Sequence, residues 1–175
     1  MSTLSPASPA DFRRVLGRFA SGITVITSVD EAGPAGFTCQ SFSSLSLDPP
    51  LVLFCVADAS TSWARIAPTG RFAVNVLAAD QRDVCRNLAV PGSPDKFRRV
   101  VWHKSNLGTA HLGGALVTID CRISGVYPGG DHRIVIGEVQ ELHDHREGDP
   151  LLFFGGQFCS ASAHFGVSAA QGGKQ

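Results

Sequence analysis

The sequence predicts a mainly β fold, a closed or split barrel capped by two or three short helices, with a two-sheet sandwich as the alternative. Three observations carry this. Short apolar, β-branched runs recur at residues 23–29, 51–57, 72–77, 115–126, 132–142 and 151–154. Nineteen glycines and ten prolines punctuate 175 residues, which favours many turns over long helices. A hydrophobic content of 43% supplies a core, and no internal repeat or linker divides the chain. One domain is expected over residues 1–165, with a small, polar tail at 166–175.

Ser8-Pro9-Ala10-Asp11 opens a helix, with Ser8 as N-cap, Pro9 at the first position and Asp11 near the positive end. Phe12, Val15, Leu16 and Phe19 form its apolar stripe. A strand at 23–29 and its hairpin partner at 35–39 flank the turn Glu31-Ala32-Gly33-Pro34. A serine-rich stretch then leads into the buried strand 51–57. Ser60 or Thr61 caps a short helix carrying Trp63, Ile66 and Ala67. Strand 72–77 follows, and Asp80 caps a helix from 81 to about 88. Residues 90–94 read as a loop, the long strands 115–126 and 132–142 bracket a turn at 127–130, and 151–154 reads as the last strand before Gly155-Gly156.

Fifteen basic and fifteen acidic residues balance, so charge gives no case for nucleic acid or an anionic membrane surface. No run reaches the length of a membrane span, and the first residues lack the basic and apolar blocks of a signal peptide. The five cysteines are odd in number, have no C-x-x-C spacing and sit largely in apolar runs. They read as reduced, buried side chains, which suits the cytoplasm. No G-x-G-x-x-G after a strand, P-loop, G-x-S-x-G or H-E-x-x-H is present.

Gln40-Ser41-Phe42-Ser43-Ser44-Leu45-Ser46, ahead of Pro49-Pro50, offers small hydroxyls and an approachable backbone. Such a shelf suits a flat heteroaromatic ligand rich in acceptors, and the same residues also make an ordinary loop. Gly129-Gly130-Asp131-His132 lets a ligand come close to the backbone at the start of a strand. Alternation places His132, Ile134, Ile136 and Glu138 on one face, and Arg133, Val135, Gly137 and Val139 on the other. His132 is either a ligand contact or a satisfied polar residue. Ser60, Thr61, Ser62 and Arg65 stand at a strand-to-helix junction, where N–H groups attract phosphate and hydroxyls cap the helix. Lys96-Phe97 is either a cation and ring for a ligand or a surface lysine beside a core phenylalanine. His143 and His145 flank Asp144, but a metal needs three or four ligands and no neighbour in sequence supplies them. Solvated polarity at a strand end, and no metal, is the expectation there. His103, His111 and His164 show no partner pattern.

Together these motifs resemble a known family. Phe12-Arg13-Arg14-Val15 with Gly22-Ile23-Thr24-Val25-Ile26-Thr27, the 40–46 block with Pro49-Pro50-Leu51-Val52, and Lys96-Phe97 occur in family order. So do Gly130-Asp131-His132 with Gly137-Glu138-Val139, and Pro150-Leu151-Leu152-Phe153-Phe154. The chain is similar over roughly residues 10–160 to the short-chain NAD(P)H:flavin oxidoreductases, many of them reductase components of two-component flavin-dependent monooxygenases. The resemblance implies an FMN-binding split β-barrel of Greek-key-like topology with a few short capping helices. It also implies a homodimer that binds flavin between the barrel and elements of the dimer interface. Gln40, Ser41, Ser43 and Ser46 would follow the isoalloxazine and ribityl chain, with Phe42 as a wall. Ser60 and Ser62 would meet phosphate, Lys96 and Phe97 would close the outer side, and His132 would position the nicotinamide of NADH. Hydride would pass from NADH to FAD, or to FMN, without a catalytic acid or base. The reduced flavin would diffuse to a separate monooxygenase component. A non-enzymatic flavin-binding protein, or a split-barrel oxidase of pyridoxine phosphate or haem, are the rival readings.

Overall fold

The computed structural model describes residues 8–161; the expected tail at 166–175 and His164 lie outside them. Among these residues the chain is mainly β, with three short α-helices. Helix α1 (Pro9–Leu16) begins as expected: the Ser8 hydroxyl accepts from Asp11 N at 3.1 Å and Pro9 takes the first turn. It buries no residue, so its apolar stripe has no partner among the described residues, and Phe19 lies past its end.

After the two-residue strand β1 (Ser21–Gly22) comes the hairpin of β2 (Thr24–Asp30) and β3 (Gly33–Cys39). Residues 43–47 are not loop but an edge strand, β4 (Ser43–Leu47), which turns through a cis Asp48–Pro49 bond into β5 (Pro50–Ala57). Helix α2 (Thr61–Ile66) is capped by Ser60, whose hydroxyl accepts from Trp63 N at 3.2 Å. A 3₁₀ turn, Ala67–Thr69, leads to β6 (Arg71–Val76). Helix α3 (Arg82–Ala89) starts on Gln81 rather than on an Asp80 cap, because Asp80 pairs instead with Arg146 at 2.8 Å.

The strands β7 (Trp102–Lys104) and β8 (Ala110–Leu112) form a hairpin that the sequence pattern did not signal. The long pair β9 (Val117–Gly129) and β10 (His132–Asp144) turns at Gly130-Asp131. On β10, Val135 and Gly137 are buried while Glu138 is exposed, as the predicted alternation requires. Finally β11 (Leu151–Phe154) is not the last strand; it turns through Gly155-Gly156 into β12 (Gln157–Ser160).

Seven strands make one antiparallel sheet in the order β3-β2-β6-β9-β10-β5-β4. Its ladder is open, with β3 and β4 as edges, so a barrel closed by backbone pairing is not formed. Side chains bridge the gap, the Cys39 thiol donating to Cys55 O at 3.9 Å. Just past β3, the Ser41 hydroxyl donates to Cys55 O at 3.1 Å and accepts from Cys55 N at 2.9 Å. It satisfies both backbone groups of a β5 residue that β4 does not reach.

The main core lies inside this sheet, where Phe54 packs edge-on against Phe72 at 5.0 Å and Trp63 at 5.9 Å. Phe54 and Phe72 are fully buried, each contributing about 2–3 kcal/mol of hydrophobic transfer. A second core joins Ile23, Leu77, Leu88 and Leu151 beneath α3. Buried Asn75 fastens the β7–β8 hairpin to the sheet: its amide donates to Val25 O, Thr27 Oγ1 and Ala110 O, and its carbonyl accepts from Leu112 N at 2.8 Å.

That hairpin corrects the expectation for the histidines. His103 and His111 face each other across β7 and β8, and His111 meets His143 and His145 from the end of β10. Asp120 of β9 lies beneath them, 2.8 Å from His111 Nε2. The third and fourth polar partners, absent from the local sequence, arrive from strands more than twenty residues away.

Candidate functional site: a carboxylate-free cleft at the strand ends

A cleft of about 620 Å³ opens where the end of β3, the C-terminal half of β5, the start of α2 and the segment after α3 converge. This is the size range of small-molecule sites. Its lining combines small hydroxyls with an apolar floor from Cys55, Val56 and Ala57, and Leu88 and Pro91 form the far wall. No aspartate or glutamate lines it among the described residues, whereas Lys96 and His132 do. The balance of charge favours an anionic or electron-rich ligand.

Antiparallel pairing of β10 with β5 sets His132 opposite Ala57, at the cleft's rim. The imidazole Nδ1 lies 2.7 Å from Asp131 Oδ1. The donation from Nδ1–H holds the Asp131 carboxyl below its ordinary value and leaves Nε2 as the nitrogen available to a ligand. The turn is pinned from the next strand by Arg133, whose Nε donates to Asp58 at 2.6 Å, and by Asp58 N to Asp131 O at 3.0 Å.

Lys96 lines the cleft as a buried side chain, not a surface one. Its ammonium has three hydrogens, and three protein oxygens receive them: Ser62 Oγ at 3.1 Å, Gly36 O at 3.4 Å and Leu88 O at 3.4 Å. Burial without a carboxylate partner pushes its pKa down. The lysine ties β3, α2 and α3 together and sets positive charge behind the wall. Burial likewise pushes the Cys39 thiol up, so it stays protonated and unreactive at neutral pH.

At the mouth of α2, the Ser60 hydroxyl caps Trp63 N, while Thr61 N–H and Ser62 N–H have no intrahelical acceptor by helix geometry. Both residues line the cleft.

Of the residues singled out in the sequence, Gln40, Ser41, Ser60, Ser62, Lys96 and His132 meet around this cleft. Four do not. Phe42 packs against the main core. Ser43 and Ser46 lie on β4 beyond the rim, with the Ser43 hydroxyl donating to Ser44 O. Phe97 lines a smaller adjoining cavity of about 220 Å³ and meets Trp102 edge-on at 6.3 Å. Sequence reading missed the floor residues 55–57, Leu88 and Pro91. Their apolar character marks only burial, and the fold alone turns them toward a common space.

The model of the flavin reductase like domain family matches residues 16–162. The reductase subunit HsaB of a flavin-dependent monooxygenase from Rhodococcus jostii is 49% identical over 150 residues, covering 86% of this chain and 76% of that protein. An NADH-dependent flavin reductase of a Rhodococcus species is 38% identical over 157 residues, covering 87% and 86%. Among solved structures, an NADH:FAD oxidoreductase of Streptomyces globisporus in complex with NAD and FAD fragments superposes with a TM-score of 0.85 at 37% identity, covering 91% and 96%.

Proposed function

The chain belongs to the flavin reductase like domain family, and from that membership we propose that it is an NADH-dependent flavin reductase serving a separate monooxygenase component. It passes hydride from NADH to FAD or FMN. The observation that carries this for the chain's own residues is the cleft: carboxylate-free, edged by Gln40, Ser41, Ser60 and Ser62, backed by buried Lys96, with His132 at its rim.

Flavin and nicotinamide would supply the redox chemistry themselves when bound, as donor and acceptor of hydride. The protein binds, orients and polarises. Thr61 and Ser62 N–H offer the start of α2 to a phosphate. Gln40 and Ser41 offer polar groups along the ligand's edge, and the floor of residues 55–57 accepts an apolar ring face. The Lys96 charge stabilises negative charge that grows on the ligand, without a direct bond to it. His132, oriented by Asp131, positions the nicotinamide nucleotide. No side chain acts as an acid or base. Phe42, Ser43, Ser46 and Phe97 act as support around the site rather than as its walls.

The open sheet is read as the family's split barrel, the seam lying at the Ser41–Cys55 bridge. A homodimer completes the domain. It is supported by α1, where Phe12 and Leu16 are 57% and 52% exposed, and by Leu47, which is 96% exposed. Five free cysteines accord with the cytoplasm.

Anaerobic mixing with NADH and either FAD or FMN tests the activity through bleaching of the flavin. His132→Ala is expected to raise KM for NADH about tenfold, the worth of one polar contact, with little change in KM for flavin. An unchanged NADH dependence removes His132 from the site.

A further inference from the structure

At the end of β9 and β10 remote from the cleft, four of the six histidines in the chain gather around one carboxylate. Asp120 is fully buried. His111 Nε2 lies 2.8 Å from its Oδ2, and His143 Nε2 lies 3.5 Å from the same oxygen. His143 Nε2 also stands 3.3 Å from Glu141 Oε2. Neither approach of His143 makes a hydrogen bond, so among the described residues this nitrogen is buried without a partner. A lone pair aimed at carboxylate oxygens is repelled, and an N–H left there loses a hydrogen bond. An Asp–His pair alone accounts for His111 and not for His143.

We propose that His111 Nε2, His143 Nε2 and Asp120 Oδ2 form a binding site for a divalent transition-metal ion of the zinc type, with Glu141 as a fourth donor. Ligands about 2.0–2.1 Å from a tetrahedral ion stand roughly 3.3 Å apart, and 2.8 and 3.5 Å bracket that edge. All three ligand atoms lie within 4.8 Å of one another. An ion between them receives the lone pairs of both imidazoles and neutralises the carboxylate. The outer groups are set for it: the Thr109 hydroxyl donates to Asp120 Oδ1 and is itself held by Ser105 at 2.8 Å. Asn75 fixes the β8 end of the site through Leu112 N. His143 and Glu141 are partly exposed, which gives an ion its entry.

The site is structural. His143 and His132 sit eleven residues apart on β10, on the order of 35 Å along the strand, so the ion has no contact with the cleft. It clamps the β7–β8 hairpin onto the ends of β9 and β10.

The test uses the full chain freed of metal by chelation and then given Zn²⁺ or Co²⁺. One equivalent of Co²⁺ should give the intense visible bands of a tetrahedral centre, and one equivalent of Zn²⁺ should raise Tm. His143→Ala should weaken Zn²⁺ binding about a hundredfold or more, beyond the loss typical of an outer contact. Equal affinity in wild type and His143→Ala, or no stoichiometric binding by wild type, overturns the proposal. X-ray absorption of the wild-type Zn²⁺ form checks the ligands without relying on a variant: two imidazoles are expected, and fewer refute the site. Chelation should leave flavin reduction at low temperature unchanged; a loss of activity there contradicts a purely structural ion.

Discussion

Gly137 faces the main core at the point where β10 crosses Phe72. A Cβ at this position would stand 2.3 Å from Phe72 Cζ, 2.8 Å from Cε1 and 3.0 Å from Cys121 Cβ. Carbon atoms rest 3.5–4.0 Å apart, so Gly137→Ala must drive the ring back by more than about 1 Å. The ring has no room: Phe72 is fully buried and meets Phe54, also fully buried, edge-on at 5.0 Å. Overpacking of this kind costs up to about 3 kcal/mol. Loss of glycine's freedom in the unfolded chain offsets about 0.4–1 kcal/mol. A net destabilisation of about 2 kcal/mol remains, which lowers Tm by roughly 4–8 °C for a chain of this size. Thermal and urea denaturation of Gly137→Ala, Phe72→Leu and the double variant read it out. Phe72→Leu alone should cost about 1–2 kcal/mol, and it opens the space that the new methyl needs. The double variant should therefore be more stable than the sum of the singles by about 1 kcal/mol or more. An unchanged Tm for Gly137→Ala, or additivity within about 0.5 kcal/mol, would refute the packing argument.

Asn75→Ala strands Leu112 N–H in the interior and unties the β7–β8 hairpin; a loss of about 2–4 kcal/mol is expected in urea unfolding. Asp30 takes two hydrogen bonds from Arg65, at 2.6 and 2.8 Å, and these hold its carboxyl below the usual range. A depressed carboxyl stabilises the fold above its unfolded pKa near 3.9, and that stability fades as pH falls through the folded value. With both side chains partly exposed, the gap between wild type and Asp30→Asn should be about 1 kcal/mol or less at pH 7. The gap should shrink from about pH 4 downward, and one that widened in acid would contradict the pairing.

Local chemistry made much of the fold legible. Ser8 caps α1 as expected and Ser60, one of two candidates, caps α2, because the cap bond joins residues three apart. Asp80 does not cap α3, since a distant Arg146 takes its carboxylate. The β2–β3 hairpin and the long β9–β10 pair follow from β-branched runs and glycine turns. The short strands β4, β7, β8 and β12 were not legible: at three to five residues, and without the unbroken apolar run that marks the four-residue β11, they hold too little pattern to exceed that of a loop. Of the cleft's lining, Gln40 and Ser41 stood out as a serine-rich stretch before a proline pair, Ser60 and Ser62 as a helix start, and His132 as the residue after a Gly-Gly-Asp turn. Phe42 and Phe97 lie outside the cleft's lining, in the main core and an adjoining cavity, because an aromatic residue's type does not say which cavity it fills.

By itself the sequence determined a β-rich chain with short caps, reduced cysteines, no strong field and the motif set of a flavin reductase. Only the tertiary structure decided that Lys96 is buried and spends its three protons on protein oxygens, and that Ser41 bridges the open sheet at Cys55. It alone brought His111 and His143 onto Asp120. The reason is physical: hairpin turns and the caps of α1 and α2 rest on neighbours in the chain, whereas convergence of a side chain on a distant partner, Arg146 on Asp80 included, depends on register and packing summed over strands far apart in sequence.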